Sequence, residues 1–167
     1  EDYDESRHLV DDLIQQFDPL RTVYRAWDLG YDKPACVGFQ IDNFNRMNIL
    51  FALLGNRIQL NNFIDQVIGH VEGIIDVPIL SFHEILPHDA NRRDGNSPHA
   101  ATDIFRNKRL DSMDVIYVKA EESILAANKL FSTYKHGKPA IMIDSQYANL
   151  LGNCCALYTR DESTGKP

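Results

Sequence analysis

Met47-Asn48-Ile49-Leu50-Phe51-Ala52-Leu53-Leu54, closed by Gly55, is a nearly unbroken apolar run. A strand covered on both faces by helices has this pattern, and so does a short buried helix. The next segment separates the two readings. Leu60, Phe63, Ile64, Val67, Ile68 and Val71 recur at three and four, a single helical stripe that ends at Gly73 and needs a sheet to pack on. Strand followed by helix is the simpler parse.

The same alternation runs on toward the carboxyl terminus. Residues 77–82 read as a strand, followed by a polar loop and a short helix over 99–106. Residues 114–118 form the next strand, and a helix over 121–134 opens on Glu121 and Glu122 and closes at Lys135-His136-Gly137. Residues 140–143 give a fourth strand, 145–151 a short helix and 153–159 a fifth strand. The expectation is an α/β domain with a doubly wound, mainly parallel five-stranded sheet, Rossmann-like, built with right-handed crossovers.

Upstream, Leu9, Val10, Leu13, Ile14 and Phe17 make a helical stripe over residues 6–17, ended by Asp18-Pro19. Residues 22–27 and 36–41 are rich in β-branched and aromatic side chains and flank the turn signal Gly30-Tyr31-Asp32-Lys33-Pro34, so they are candidates for a hairpin. Residues 43–47 read as a short helix or a connection. Three regions follow: an N-terminal helix and hairpin extension over 1–46, an α/β core over 47–160, and a disordered polar tail over 161–167.

In such sheets ligands sit beyond the carboxyl ends of the strands. That edge is expected to carry Gly55-Asn56-Arg57, His83-Glu84, Lys119-Ala120-Glu121 and Asp144-Ser145-Gln146. Asn56, Arg57, His83, Glu84, Asp144 and Ser145 are therefore the candidate ligand-binding residues. Asp144, the best-placed acid, has the competing role of capping the following helix.

With 24 acidic against 17 basic residues, the net charge of −7 disfavours a nucleic-acid backbone or an anionic membrane as partner. No apolar run approaches the roughly 20 residues that span a bilayer. The chain begins at Glu1, and its compartment is not read from there. Cys36, Cys154 and Cys155 are an odd set; the last two are strand neighbours whose side chains diverge, which leaves a bridge from Cys36 to one of them or three buried thiols.

Motifs for chemistry are sparse. His83, Glu84, His88 and Asp89, with Asp94 and His99 beyond, gather ligand-type side chains, but the two histidines are five apart and Pro87 interrupts any helix, so no metal is expected. Arg92, Arg93, Arg106, Lys108 and Arg109 are interspersed with Asp89, Asp94, Asp103 and Asp111, the composition of a neutral salt-linked face. Gly55-Asn56-Arg57 supplies one glycine where a phosphate loop needs several. No Gly-x-Ser-x-Gly elbow exists, and the adjacent cysteines lie away from a helix start. Acids are missing after the strand at 47–54 and at the end of that at 114–118, where a phosphoacceptor domain requires them. No catalytic residue and no cofactor is assigned.

The stretch Asp114-Val115-Ile116-Tyr117-Val118 through Glu121-Glu122-Ser123-Ile124 and Lys138-Pro139-Ala140-Ile141-Met142-Ile143-Asp144 to Gly152-Asn153-Cys154-Cys155-Ala156-Leu157-Tyr158 resembles a lobe of periplasmic binding proteins. It also resembles the single-lobe periplasmic repressors of diguanylate cyclases, the YfiR family. That resemblance implies a non-enzymatic regulatory, ligand-sensing or partner-binding domain in signalling, periplasmic, engaging a small molecule or a protein and open to homodimerisation. The alternatives are a small α/β enzyme or nucleotide-binding protein with acid-base groups at the strand carboxyl ends, and an assembly or viral structural component.

Overall fold

The computed structural model describes residues 3–30, 32–75, 81–92 and 99–151. Its centre is a mixed, mostly parallel sheet of seven strands: β1 (Leu9–Val10), β2 (Val23–Asp28), β3 (Ala35–Ile41), β4 (Met47–Leu54), β5 (Phe82–Pro87), β6 (Met113–Ile116) and β9 (Ile141–Asp144). The spatial order is β1-β9-β4-β3-β2-β5-β6. Only β3 runs against the rest, paired antiparallel with β2 and β4; the other contacts are parallel. A separate two-stranded ribbon joins β7 (Tyr134–Lys135) to β8 (Lys138–Pro139). The helices are α1 (Glu5–His8), α2 (Leu60–Ile74), α3 (Ala101–Asn107) and α4 (Ala120–Ser132). None is long and apolar enough to cross a membrane.

The run at Met47–Leu54 forms β4 with the bounds read from the sequence, and Leu50, Phe51 and Ala52 lie in the main core. Helix α2 buries Phe63, Ile64, Val67 and Val71, the expected stripe. Each such side chain contributes about 2 kcal/mol on leaving water. The register of β3 on β4 shifts between Gly38 and Phe39, and the Phe51 ring lies across Gly38, where a Cβ would stand 2.1 Å from it. Glycine is the one residue that lets this ring pack.

Four expectations change. Residues 6–17 do not form one helix: α1 stops at His8, Leu9 and Val10 pair with Ile143 and Asp144 as β1, Asp12 is left-handed at φ 53°, and Leu13–Gln16 makes a 3-10 turn. The outer edge of β9 has backbone groups to satisfy, and the apolar residues serve two places at once, Leu13 in the main core and Leu9 in the smaller cluster of Ile49, Ile141 and Ile143. The hairpin does form, but β2 and β3 lie between β4 and β5, in the middle of the sheet instead of on an extension. The strand expected at 77–82 is β5, which begins at Phe82; residues 76–80 lie outside the described residues, as does the strand expected at 153–159 and the tail. Among the described residues the sheet has seven strands, one of them reversed, where five strands were expected.

The remaining elements fall close to their expected bounds. Residues 43–46 are a connection, with Met47 already in β4, and in it the Asp42 carboxylate accepts from the Phe44 and Arg46 amides and from the Arg46 guanidinium. Asp144 ends β9, and residues 145–151 are helical, opened by the 3-10 turn Ser145–Tyr147.

Candidate functional site

β2, β4, β5 and β6 point the same way, so one edge of the sheet collects their carboxyl ends. Asp28 pairs with Ala35 and Ala35 with Leu54, while Pro87 pairs with Ile116. The parallel register that sets Ala26 beside Ile85 brings Asp28 level with Pro87, the last residue of β5. The edge is therefore nearly flush.

Strand alternation decides what each residue of β2 does. Val23, Arg25 and Trp27 are buried, Trp27 edge-on to Phe63 and Phe105 at 5.9 and 5.1 Å. Asp28 is on the other face, exposed, with Oδ1 accepting from the Gly30 amide at 3.1 Å. The loop over residues 29–34 is held from the side: Pro34 O accepts from the Gly55 amide and Asp32 O from the Arg57 amide, both at 2.7 Å. Gly55 fits there because a Cβ would meet Pro34 Cγ and Ile58 Cγ2 at 2.7 Å. Arg57 is exposed and left-handed, at φ 48°.

Beyond Pro87 the chain turns into the 3-10 segment His88–Asn91. Ala90 is buried beneath it, and Asn91 Oδ1 accepts from the Thr102 hydroxyl at 3.1 Å, which ties the turn to α3. Asp89 stands exposed on this anchored turn. The His88 ring meets Tyr117, just past β6, edge-on at 5.1 Å. Neighbouring parallel strands thus end in two exposed acids, Asp28 and Asp89, that no arginine or lysine among the described residues pairs with. Among the described residues no group of three or more His, Cys, Asp or Glu is arranged to hold a metal ion.

The six expected ligand-binding residues are not brought together. Asn56 and Arg57 lie at this edge, beside the loop that follows Asp28. His83 and Glu84 belong to the beginning of β5, since the strand starts later than the sequence suggested. His83 bonds Ser112 Oγ through Nδ1 at 2.9 Å and Asp114 Oδ2 through Nε2 at 3.0 Å. Glu84 is in the core, 1% exposed, where both its oxygens take the Arg25 guanidinium and Oε2 also accepts from Trp27 Nε1 at 2.7 Å. Asp144 is 2% exposed and accepts from the Ile14 and Gln146 amides at 2.9 and 3.1 Å, the capping role, with Ser145 next to it. β9 pairs Ile143 with Ile49, so Asp144 is level with the middle of β4 and away from the edge.

Of the basic stretch, Arg106 pairs with Asp103 at 3.4 Å and Lys108 with Asp65, outside the stretch, at 2.5 Å, while Arg93 and Asp94 lie outside the described residues. Cys36 is a free buried thiol, and burial pushes its pKa well above the ordinary value. Cys154 and Cys155 are outside the described residues.

Sequence reasoning missed Asp28 and gave Asp89 no role of its own. The available signal was an acid closing a β-rich run, Val23-Tyr24-Arg25-Ala26-Trp27-Asp28, directly before Leu29-Gly30.

No family model and no curated protein matches this chain. Among solved structures, it is similar to the nuclease domain of g2p, the large terminase of bacteriophage SPP1, crystallised with bound Mn. The TM-score is 0.57 at 16% identity, over 98% of this chain and 85% of that one. This corrects the likeness to periplasmic binding lobes and YfiR-type repressors, and takes away the basis for signalling, sensing and a periplasmic setting. The non-enzymatic reading falls with it; a small α/β enzyme, kept above as an alternative, fits the finding better. At this identity the likeness carries the fold alone: the chain shares the mixed α/β architecture of that domain.

Proposed function

We propose that the chain is a metal-dependent nuclease-type enzyme whose divalent ion is held by Asp28 and Asp89. The observation that carries this reading is the placement of two exposed carboxylates, with no ion-pair partner among the described residues, at and just past the ends of adjacent parallel strands, on a fold shared with an Mn-bound nuclease domain. Carboxylate oxygens suit Mg²⁺ and Mn²⁺, and such ions are commonly bound by one or two carboxylates with substrate phosphates and water completing the shell. The donor set fits that demand. Glu84 and Asp144, by contrast, already have their charge satisfied inside the protein.

A bound divalent ion supplies Lewis-acid stabilisation of a phosphoryl centre and a more acidic water. The protein's own residues orient and select. Trp27, wedged between Phe63 and Phe105, fixes the backbone from which Asp28 projects, and the Asn91–Thr102 bond holds the turn that carries Asp89. Asn56 and Arg57, at the same edge, offer a neutral amide and a guanidinium to a phosphate. The net charge of −7 sets a repulsive far field, and a divalent cation held by the two carboxylates would cancel their charge where a phosphate would approach.

The test is cleavage of circular duplex DNA, single-stranded DNA and an RNA oligonucleotide with Mn²⁺ or Mg²⁺, alongside calorimetric titration of Mn²⁺. Wild-type protein should cleave at least one substrate only with metal. Asp28→Asn and Asp89→Asn should each abolish cleavage and weaken Mn²⁺ binding. Metal-dependent cleavage that survives both substitutions would falsify the assignment.

A further inference from the structure

A pair of oppositely charged side chains buried in the core, Arg25 and Glu84, lies behind the proposed site and joins the two strands that present its acids. Arg25 is three residues before Asp28 on β2; Glu84 is five before Asp89, on the neighbouring β5. Arg25 Nε is 3.0 Å from each Glu84 oxygen, Arg25 Nη2 contacts Oε1, and the two side chains are 2% and 1% exposed. Trp27, the residue before Asp28, adds its indole N–H to Oε2 at 2.7 Å. The Phe82 ring lies under the guanidinium, 4.1 Å from its carbon.

Stability does not account for this arrangement. An apolar pair of similar volume is as good or better in a core, because desolvation offsets the attraction of the charges. What the charged pair adds is direction. A guanidinium facing a carboxylate has one preferred orientation, and the indole bond fixes that carboxylate from a third side. Slippage of β5 against β2 by one residue would turn Glu84 to the other face and leave Arg25 buried without its counter-charge. The network therefore locks the relative height of the two strands.

We infer that Arg25, Glu84 and Trp27 are positioning residues that fix the relative placement of the Asp28 and Asp89 carboxylates for the ion. The inference rests on the nuclease-type reading above. Metal sites tolerate errors of about 0.5 Å in ligand placement, so an interstrand lock has a direct effect on ion affinity.

The experiment compares wild type, the triple variant R25M/E84L/W27F, the single variant Trp27→Phe, and Asp28→Asn as control. Thermal unfolding, Mn²⁺ titration and cleavage kinetics are measured on each. The triple variant removes every charged or polar partner together, so no buried group is orphaned. It should unfold at the wild-type temperature or above, yet lose about 10- to 100-fold in Mn²⁺ affinity and in kcat, with KM for the nucleic acid little changed. Trp27→Phe keeps the ring between Phe63 and Phe105 and serves if the triple variant does not fold; it should lose Mn²⁺ affinity in the same direction, by a smaller factor. Folded variants that bind Mn²⁺ and turn over like wild type, while Asp28→Asn does neither, overturn the positioning role alone. Wild-type metal binding and cleavage by Asp28→Asn overturn both it and the site.

Discussion

The two ends of β5 carry acids in opposite circumstances. Glu84, near the start, is enclosed, and its oxygens take the Arg25 guanidinium and the Trp27 indole. Asp89, past the end, stands in water on a turn whose anchoring bonds belong to other atoms. Residue type says nothing about this difference; the donors around each carboxylate say all of it. An acid whose oxygens are fully engaged by the protein is part of the architecture, and one held in place with its oxygens open is available for chemistry.

The contrast breaks most visibly under substitution. Glu84→Ala should destabilise the domain by about 3–5 kcal/mol, because it leaves Arg25 charged and unpaired in the core. Asp89→Asn should fall within about 0.5 kcal/mol of wild type in the same urea titration. Equal losses at the two positions would erase the distinction.

A smaller effect sharpens the role of the exposed edge. Arg57 holds a left-handed backbone that glycine adopts without strain. Arg57→Gly should therefore raise stability by about 1 kcal/mol. If Arg57 meets phosphate, the same variant should bind nucleic acid more weakly, and its salt dependence should lose about one counter-ion in slope. Stabilisation with unchanged binding would leave the arginine outside the site.

The smallest effect is in pH dependence. Burial lowers the pKa of His70, whose Nε2 is 2.8 Å from the Tyr147 hydroxyl. Tyr147 is itself pushed up to about 12 by burial and then by Asp144, so it stays protonated. A histidine with a depressed folded pKa is harder to charge in the native state than in the unfolded chain. Its contribution is complete above the ordinary imidazole value and is lost as pH falls through that value toward the folded one. His70→Gln should accordingly lose less stability than wild type between pH 7.5 and 5.5, and parallel curves would refute the linkage.

Much of the scaffold was legible. The bounds of β4, the stripe of α2 and the pairing of β2 with β3 follow from hydrophobic periodicity, which the core enforces. β5 was set too early because His83-Glu84 reads as loop; charged residues are seldom buried, and nothing local announces that Arg25, 59 positions away, neutralises Glu84. Placing that strand end at Phe82 put His83 and Glu84 at the carboxyl edge, whereas they lie at the start of β5. The N-terminal stripe misled for a different reason: spacing of three and four does not reveal that Leu9 and Leu13 go to separate clusters. Asp28 escaped because acids were sought after the strand at 47–54, taken as the first of the core, whereas β2 and β3 precede it within the same sheet. The proposed site is a property of strand order, and one chain read in sequence does not contain strand order.

Cys36 gives this sheet a built-in clock. Its thiol is enclosed near the start of β3, the reversed strand clasped on both sides by β2 and β4, and it is disinclined to ionise there. A reagent that needs a thiolate reaches it only when the central ribbon parts, so the rate of its modification reports how often the heart of the domain comes open.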